Sequence, residues 1–549
     1  MTEIHTPRRR HARRGGWVPR ALVVATALVA CGVGVRVLTT QQSSAAAVWQ
    51  PVGMSIAAAE DTAHAQQVGT LAPGVVGANT FVLALEQPQT YGRPQQPEHI
   101  SALTARATSA SGAARDLVLH PNAGRTAWSA PIDLPGTGKW TFAVRIERPG
   151  QAAESLSLVE NVVSAKPGKQ EIIGIPADLT GARSTLCRNQ ALGAQVAMAD
   201  VDATAKPHTT KTRFDVVDLS AGADAALARL TQLGARAIAL PCGDDAAVAA
   251  VARAAHDRGL PVVLGAAPAQ ATGPGVWSTL PDWTREGAAI GAQTRTQAVG
   301  AVDVVTGPSA TDAAELAGLR QSLTGSGLAV HYEGVPADPA AWVAQAAHYN
   351  VAVLLLGPAE VKPVLQALSG VVTKTGSRGL PGRGVLASSQ LMDADVIDSA
   401  WPITKIGIVE FASDIDPFDP IVQYYIQRLQ ISAPTVRPTF DGIRGYDAAL
   451  ALAEAIRVAG GSRGKVPAGP QIASVIGAHM GAFTIGSYGV NWSANGGHSN
   501  RVAFFRTTYL NPMAMPYETP VGDNMDAAHM GGLLGMGGFE QVAPFRTLS

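Results

Sequence analysis

A chain of 549 residues, 46% of them hydrophobic and 15% charged, is long enough for several buried cores and too apolar for a disordered tail protein. Its 42 basic and 42 acidic residues balance, but unevenly: Arg8, Arg9, Arg10, Arg13, Arg14, Arg20 and Arg36 face only Glu3 near the start, which leaves 35 basic against 41 acidic residues beyond. A mildly acidic body offers no basic face to a nucleic acid, so nucleic acid is excluded as a partner.

Residues 1–40 join the arginine-rich stretch to an apolar run over 21–35, the layout of a secretion signal or signal anchor. This predicts a body on the extracytoplasmic face of the cell membrane. Carried on to Leu38 the run reaches 18 residues, the short end for a spanning helix, with Arg36 at its outer end. Leu28-Val29-Ala30-Cys31 resembles the lipobox of bacterial lipoproteins, which implies lipidation of Cys31. An unmodified cysteine in an uncleaved anchor stands as the alternative, and cleavage after Ala45, Ala46 and Ala47 as a third. Beyond Cys31 only Cys187 and Cys242 remain; in an oxidising compartment they pair if their Cα atoms come within about 7 Å, and otherwise stay free.

A Ser-, Ala- and Gln-rich linker over residues 41–67 leads into alternating apolar runs at 80–85, 114–119 and 139–146, each flanked by Gly, Pro or Asn. The pattern predicts a small all-β sandwich over residues 68–165. Pro135-Gly136-Thr137-Gly138-Lys139 lacks the first glycine of a phosphate loop and runs into a strand instead of a helix. Gly77-Ala78-Asn79-Thr80-Phe81 and Gly136-Thr137-Gly138-Lys139-Trp140-Thr141 resemble the immunoglobulin-like domains of copper-resistance and related bacterial surface proteins. That resemblance implies a copper site of His and Asp ligands, but His64, His99 and His120 are scattered, and no metal is expected here.

From Lys166 onward, apolar strands alternate with helices. Strands are predicted at 171–176, 214–219, 235–240 and 261–265, separated by helices at 182–203, 223–233 and 245–258. A second series follows, with strands at 302–306, 328–332, 351–356 and 384–387 and helices at 310–324, 339–349 and 361–368. Apolar strands spaced by helices mean parallel sheets covered on both faces, and two such series predict two doubly wound lobes with a cleft between them.

Gly259-Leu260-Pro261-Val262-Val263, Leu280-Pro281-Asp282 with Gly287, Gly445-Tyr446-Asp447-Ala448, Ser487-Tyr488-Gly489 and Gly496-Gly497-His498 stand in this order along the chain. Together they resemble the type I periplasmic binding proteins, in particular the branched-chain amino-acid-binding proteins of ABC importers. The resemblance implies a two-lobed domain over residues 170–510, a small-molecule ligand, permease subunits as partners, and no cofactor.

Ligands of a doubly wound sheet sit beyond the carboxyl ends of its strands. The candidate shell is therefore Asp178, Thr180, Cys242, Asp244, Asp245, Ala266 and Pro268 in the first lobe, and Ser309, Gly357, Ser389 and Gln390 in the second. The resemblance implies Ser or Thr hydroxyls at the third and fourth strand ends for a ligand carboxylate. This chain has Cys242-Gly243-Asp244-Asp245 and Ala266-Ala267-Pro268 there, which points away from an ordinary amino acid and towards a cationic or polyhydroxylated solute. Asp244 and Asp245 also read as caps of the helix they open. Trp277, Trp283 and Tyr446 are either cleft walls or packing residues.

The tail over residues 511–549 is rich in Gly and holds five of the ten methionines, between Met513 and Met536, together with His529. Thioethers suit Cu(I), and they equally suit adaptable packing. The sequence contains no zinc-protease helix motif, nucleophile elbow or dinucleotide fingerprint, so the expected activity is binding and not catalysis. The alternative function is a surface scaffold or sensor with a degenerate cleft, to which the tail's methionines would add a link to copper.

Overall fold

The chain divides into two compact units, residues 1–48 and 49–549. The structure, a computed structural model, describes residues 55–60, 66–86, 99–125, 127–166, 169–181, 183–204, 209–265, 273–375, 381–382, 384–392, 396, 408–417, 419–432, 438–479, 490–499, 501–509 and 537–547, all in the second unit. The anchor, Cys31, Ala266, Pro268, the 487–489 turn and the methionines of the tail lie outside the described residues. No helix among the described residues is long and apolar enough to cross a membrane.

Nine strands form the first module: β1 (Ser55–Glu60), β2 (Gln66–Ala72), β3 (Gly77–Glu86), β4 (Ala102–Ser109), β5 (Ala114–Val118), β6 (His120–Pro121), β7 (Ala127–Leu134), β8 (Gly138–Glu147) and β9 (Glu154–Val162). They pair as two antiparallel sheets, β1-β2-β3-β7-β6 and β5-β4-β8-β9. β8 shows why: Trp140, Phe142, Val144 and Ile146 point inward while the residues between them face out, the period-two pattern of a half-buried strand. Phe142 stacks on Phe81 of the opposite sheet, ring centroids 4.3 Å apart. The expected linker over 41–67 is too long, because β1 and the start of β2 fall inside it. The run Ser55-Ile56-Ala57-Ala58-Ala59-Glu60 has weak β-propensity and is held by its register against β2, not by its own residues.

The first lobe opens with β10 (Gln170–Ala177), α1 (Ser184–Thr204), β11 (Lys211–Asp218), α2 (Ala223–Leu233), β12 (Ala235–Ala239), α3 (Asp245–Asp257), β13 (Val262–Leu264) and β14 (Val276–Pro281). The chain then crosses into α4 (Trp283–Gln297), β15 (Ala301–Thr306), α5 (Ala310–Leu323), β16 (Ala329–Gly334), α6 (Pro339–Ala346), β17 (Val351–Leu355), α7 (Pro358–Thr375), β18 (Val385–Ala387) and β19 (Val409–Ser413). It returns through α8 (Pro420–Ser432), α9 (Phe440–Ala459), α10 (Gly469–His479), β20 (Val490–Ser493) and β21 (Gly496–Ser499), then crosses a third time into β22 (Arg501–Tyr509) and β23 (Gly537–Thr547).

The two sheets have matching orders, β11-β10-β12-β13-β14-β21-β20 and β16-β15-β17-β18-β19-β22-β23, with the first five strands of each parallel. Three crossings between two such sheets make a hinge, and β23 extends the second sheet into what sequence alone gave as a Gly- and Met-rich tail. Helices cover both faces. In each lobe one pair of helices crosses so closely that glycine is required: a Cβ at Gly193 of α1 would overlap the Gly442 carbonyl of α9, and one at Gly318 of α5 would overlap the Thr284 carbonyl of α4.

Candidate functional site

In parallel sheets of this order the strand ends and helix starts meet at one edge, and Thr311 of the second lobe reaches Asp245 of the first there. Most predicted shell residues of the first lobe turn out to be held by their own loop. Asp178 accepts from the backbone N–H of Gly181 (2.6 Å) and of Arg183 (3.3 Å), and Thr180 Oγ1 donates to Asp218 Oδ2 (3.0 Å). Asp244 caps α3, accepting from Ala247 N (2.7 Å). Cys242 is joined to Cys187, with Cα atoms 5.3 Å apart, and is wholly buried. Its sulfur therefore braces α1 against the end of β12 and drops out of the ligand shell. Asp245 does reach across the cleft, accepting from Thr311 Oγ1 of α5 (3.4 Å).

In the second lobe Ser309 closes a capping box with Asp312, and Gly357 starts α7, its carbonyl accepting from Val361 N (3.1 Å). Ser389 and Gln390 lead to a centre that sequence reasoning missed. Ser389 donates twice to Glu286 of α4, from its backbone N–H to Oε1 (2.8 Å) and from Oγ to Oε2 (2.9 Å). Ser388 Oγ donates to Glu315 Oε1 (2.6 Å), and Gln390 Nε2 lies 3.3 Å from both Glu315 Oε1 and Asp312 Oδ1. Glu286 and Glu315 are both fully buried.

From the first lobe, Arg444 of α9 enters the same region. It donates to Asp414, just past β19 at the second crossing (3.2 Å), and to Asp441 (3.5 Å). The hinge floor thus carries five carboxyl groups, Glu286, Asp312, Glu315, Asp414 and Asp441, of which Glu286, Asp414 and Asp441 act on the buried Arg444 guanidinium. Burial, followed by the charge of Asp414, pushes Glu286 up to about 7. Burial and then the charge of Glu286 carry Glu315 well above the usual carboxylic range. Burial likewise raises Asp312 and Asp441. Burial opposes the charge on Arg444, but Asp414 and Asp441 outweigh it and raise its pKa.

The floor is therefore acid-rich, with some of its carboxyls neutral near pH 7 and able to donate as well as accept hydrogen bonds. Glu315 Oε2, Asp414 Oδ2 and Arg444 Nε are buried without a hydrogen-bond partner, an arrangement a polar guest would satisfy. Trp277, Trp283 and Tyr446 are core residues instead of cleft walls: each is at most 5% exposed, with Trp277 Nε1 donating to Ser493 O (2.7 Å) and the Tyr446 hydroxyl to Asp200 Oδ2 (3.3 Å). The sandwich touches the loop after β10, where Asn122 Nδ2 donates to Gly181 O (3.3 Å).

No protein-family model matches the chain, and no curated protein matches it in sequence. Solved structures do match in fold. A fatty acid ABC transporter substrate-binding protein from Thermomonospora curvata aligns with a TM-score of 0.54 at 15% identity, over 70% of this chain and 94% of that one. An ABC transporter substrate-binding protein from Sphaerobacter thermophilus aligns at 0.54 and 13% identity, over 69% and 98%. A solute-binding protein from Rhodopseudomonas palustris BisB5 in complex with 3,4-dihydroxy benzoic acid aligns at 0.52 and 16% identity, over 62% and 94%. The two-lobed part of this chain thus has the type I periplasmic-binding-protein fold.

Proposed function

We propose that the chain is an extracytoplasmic solute-binding protein, and not an enzyme, whose two lobes close on a small polar molecule at the acid-rich hinge floor. One observation carries this reading: groups of both lobes, Glu286 and Glu315 from one and Arg444 from the other, converge at the crossings with buried polar atoms left over. Proteins of this fold have been solved with or named for ligands as different as 3,4-dihydroxy benzoic acid and fatty acid, so the ligand class has to come from this chain's own residues. A carboxyl-rich floor whose buried Arg444 is already paired favours a cationic or polyhydroxylated solute over an anion. Membrane tethering through residues 1–40, by lipid on Cys31 or by an uncleaved helix, and delivery to an ABC permease complete the proposal.

A second reading, a scaffold or sensor with a degenerate cleft, is favoured by a specific fact: Ser389, Gln390, Thr311 and Asp245 are already hydrogen-bonded within the protein. A thermal-shift screen of amino acids, polyamines, amides and sugars separates the two. A ligand at a hundredfold excess over Kd stabilises the receptor by about 2.7 kcal/mol. A melting temperature that no compound moves would leave the scaffold as the better reading.

A further inference from the structure

Away from the cleft, at the outer edge of the second sheet, three side chains of metal-binding type meet on one face. Asp303 of β15 lies directly opposite His331 of the edge strand β16, and Val305 opposite Glu333. Side chains alternate along a strand, so His331 and Glu333, two residues apart, stand on the same face. One ligand atom from each of the three falls within 4.8 Å of the others.

We propose that Asp303, His331 and Glu333 bind a divalent transition-metal ion of the zinc class. Asp303 is wholly buried and held through both oxygens: Trp342 Nε1 donates to Oδ2 (2.8 Å), and Oδ1 is paired with His331 Nδ1 (2.9 Å). A neighbour that fixes one oxygen of a carboxylate, as Trp342 does, is the usual support of a metal ligand. Glu333 Oε1 has no hydrogen-bond partner of its own, and the Glu333 carboxyl stands beside that of Asp303, a meeting of like charges that a shared cation would relieve. Zinc bonds of about 2.0–2.2 Å place tetrahedral ligand atoms roughly 3.4 Å apart, and here the three atoms lie within 4.8 Å of one another.

The donor set selects the ion class. One imidazole nitrogen with two carboxylate oxygens suits Zn²⁺ or Co²⁺, whereas Ca²⁺ takes oxygen ligands alone and Cu(I) takes sulfur. The His331 side chain is 43% exposed, which gives the ion a route in and leaves a coordination position open to water. Bound metal would staple the edge strand to its neighbour. The site is independent of the ligand cleft, so the failure of either proposal leaves the other standing.

The test is titration of the full-length protein with Zn²⁺ by calorimetry, and with Co²⁺ by its visible absorption. One ion per chain is expected at this site, with a spectrum of a nitrogen- and oxygen-ligated centre. Glu333→Gln, nearly isosteric on an edge strand, and His331→Ala should each weaken binding about tenfold or more, and Trp342→Phe about tenfold through loss of the supporting hydrogen bond. Absence of binding to the wild type overturns the proposal. So does binding unchanged in both Glu333→Gln and His331→Ala, which would assign the ion to other residues such as His529 and the methionines around it.

Discussion

Glu286 and Arg444 hold equivalent places in the two lobes. Each precedes the glycine that seats its helix on the next: a Cβ at Gly287 would overlap the Glu315 carbonyl, and one at Gly445 the Gln190 carbonyl. The correspondence continues outward, for Glu315 accepts from Ser388 after β18, and Gln190 donates to Gly265 O (3.2 Å) after β13. One backbone scaffold has thus been built twice and furnished with opposite charge, acid in the second lobe and base in the first. The two halves of that charge pattern meet at the hinge, where Arg444 pairs with Asp414.

The acid half makes stability depend on pH. An unfolded chain titrates both glutamates near 4.5, whereas burial holds Glu286 near 7 and Glu315 well above its ordinary value. Between those values the native state binds more protons than the unfolded one, so stability falls as pH rises from about 4.5 to about 7. In Glu286→Gln combined with Glu315→Gln this fall should shrink, by very roughly 2–4 °C in melting temperature for each kcal/mol of linkage removed. Glu171, up to about 8, and Asp215, to about 6, tilt the curve the same way in both proteins and cancel in the comparison. Identical melting curves against pH for variant and wild type would place the excess protons elsewhere.

The basic half is a single residue, and its loss should be costly. Arg444→Gln leaves Asp414, whose side chain is fully buried, without its cation. Breaking a buried pair on one side costs about 3–5 kcal/mol, which a urea titration at pH 7 should read as a lower midpoint with an unchanged slope. The deficit should narrow in acid as Asp441, raised by burial, takes up a proton. A loss that stays constant down to pH 4 would mean that packing, not charge, is what Arg444 supplies.

The fold was far more legible than the site. Parallel strands such as Val351–Leu355 are unbroken apolar runs, and the helix Ala223–Leu233 could be read from its flanking glycines and apolar spacing. Asp244 was legible as a cap because capping is a local act. α7 was read too short, since Pro358 opens it at the first position and Pro363 lies within it. Glu286 and Arg444 gave no local sign of their role. Charges on helices usually face solvent, and only the glycine beside each, fixing a close helix crossing, marked those faces as buried.

The disulfide should be a large stabilising element of the first lobe. It closes a loop of 55 residues between Cys187 and Cys242, for which chain-entropy arguments give about 4 kcal/mol. Cys187→Ser with Cys242→Ser should lower the urea midpoint by a corresponding amount, and reductant should do the same to the wild type but leave the variant unmoved. Equal sensitivity of both proteins to reductant would show that the bond does not form in solution.

The glycine crossings make opposite predictions at two positions in the same lobe. Gly287 lies against the Glu315 backbone, where a methyl group has no room and neither helix can retreat without opening the Glu286 network. Gly287→Ala should therefore destabilise by about 1–3 kcal/mol, the usual cost of overpacking, and should also raise the solvent exposure of the hinge carboxyls, bringing their titration back towards 4.5. Gly370 sits in α7 with nothing near the position of an added Cβ. Gly370→Ala should stabilise by about 0.5–1 kcal/mol, because alanine restricts the unfolded chain and costs nothing in the helix. Chemical denaturation of the pair decides the matter: two substitutions with the same sign would mean that the close approach of α4 to α5 is not what holds Gly287 in place.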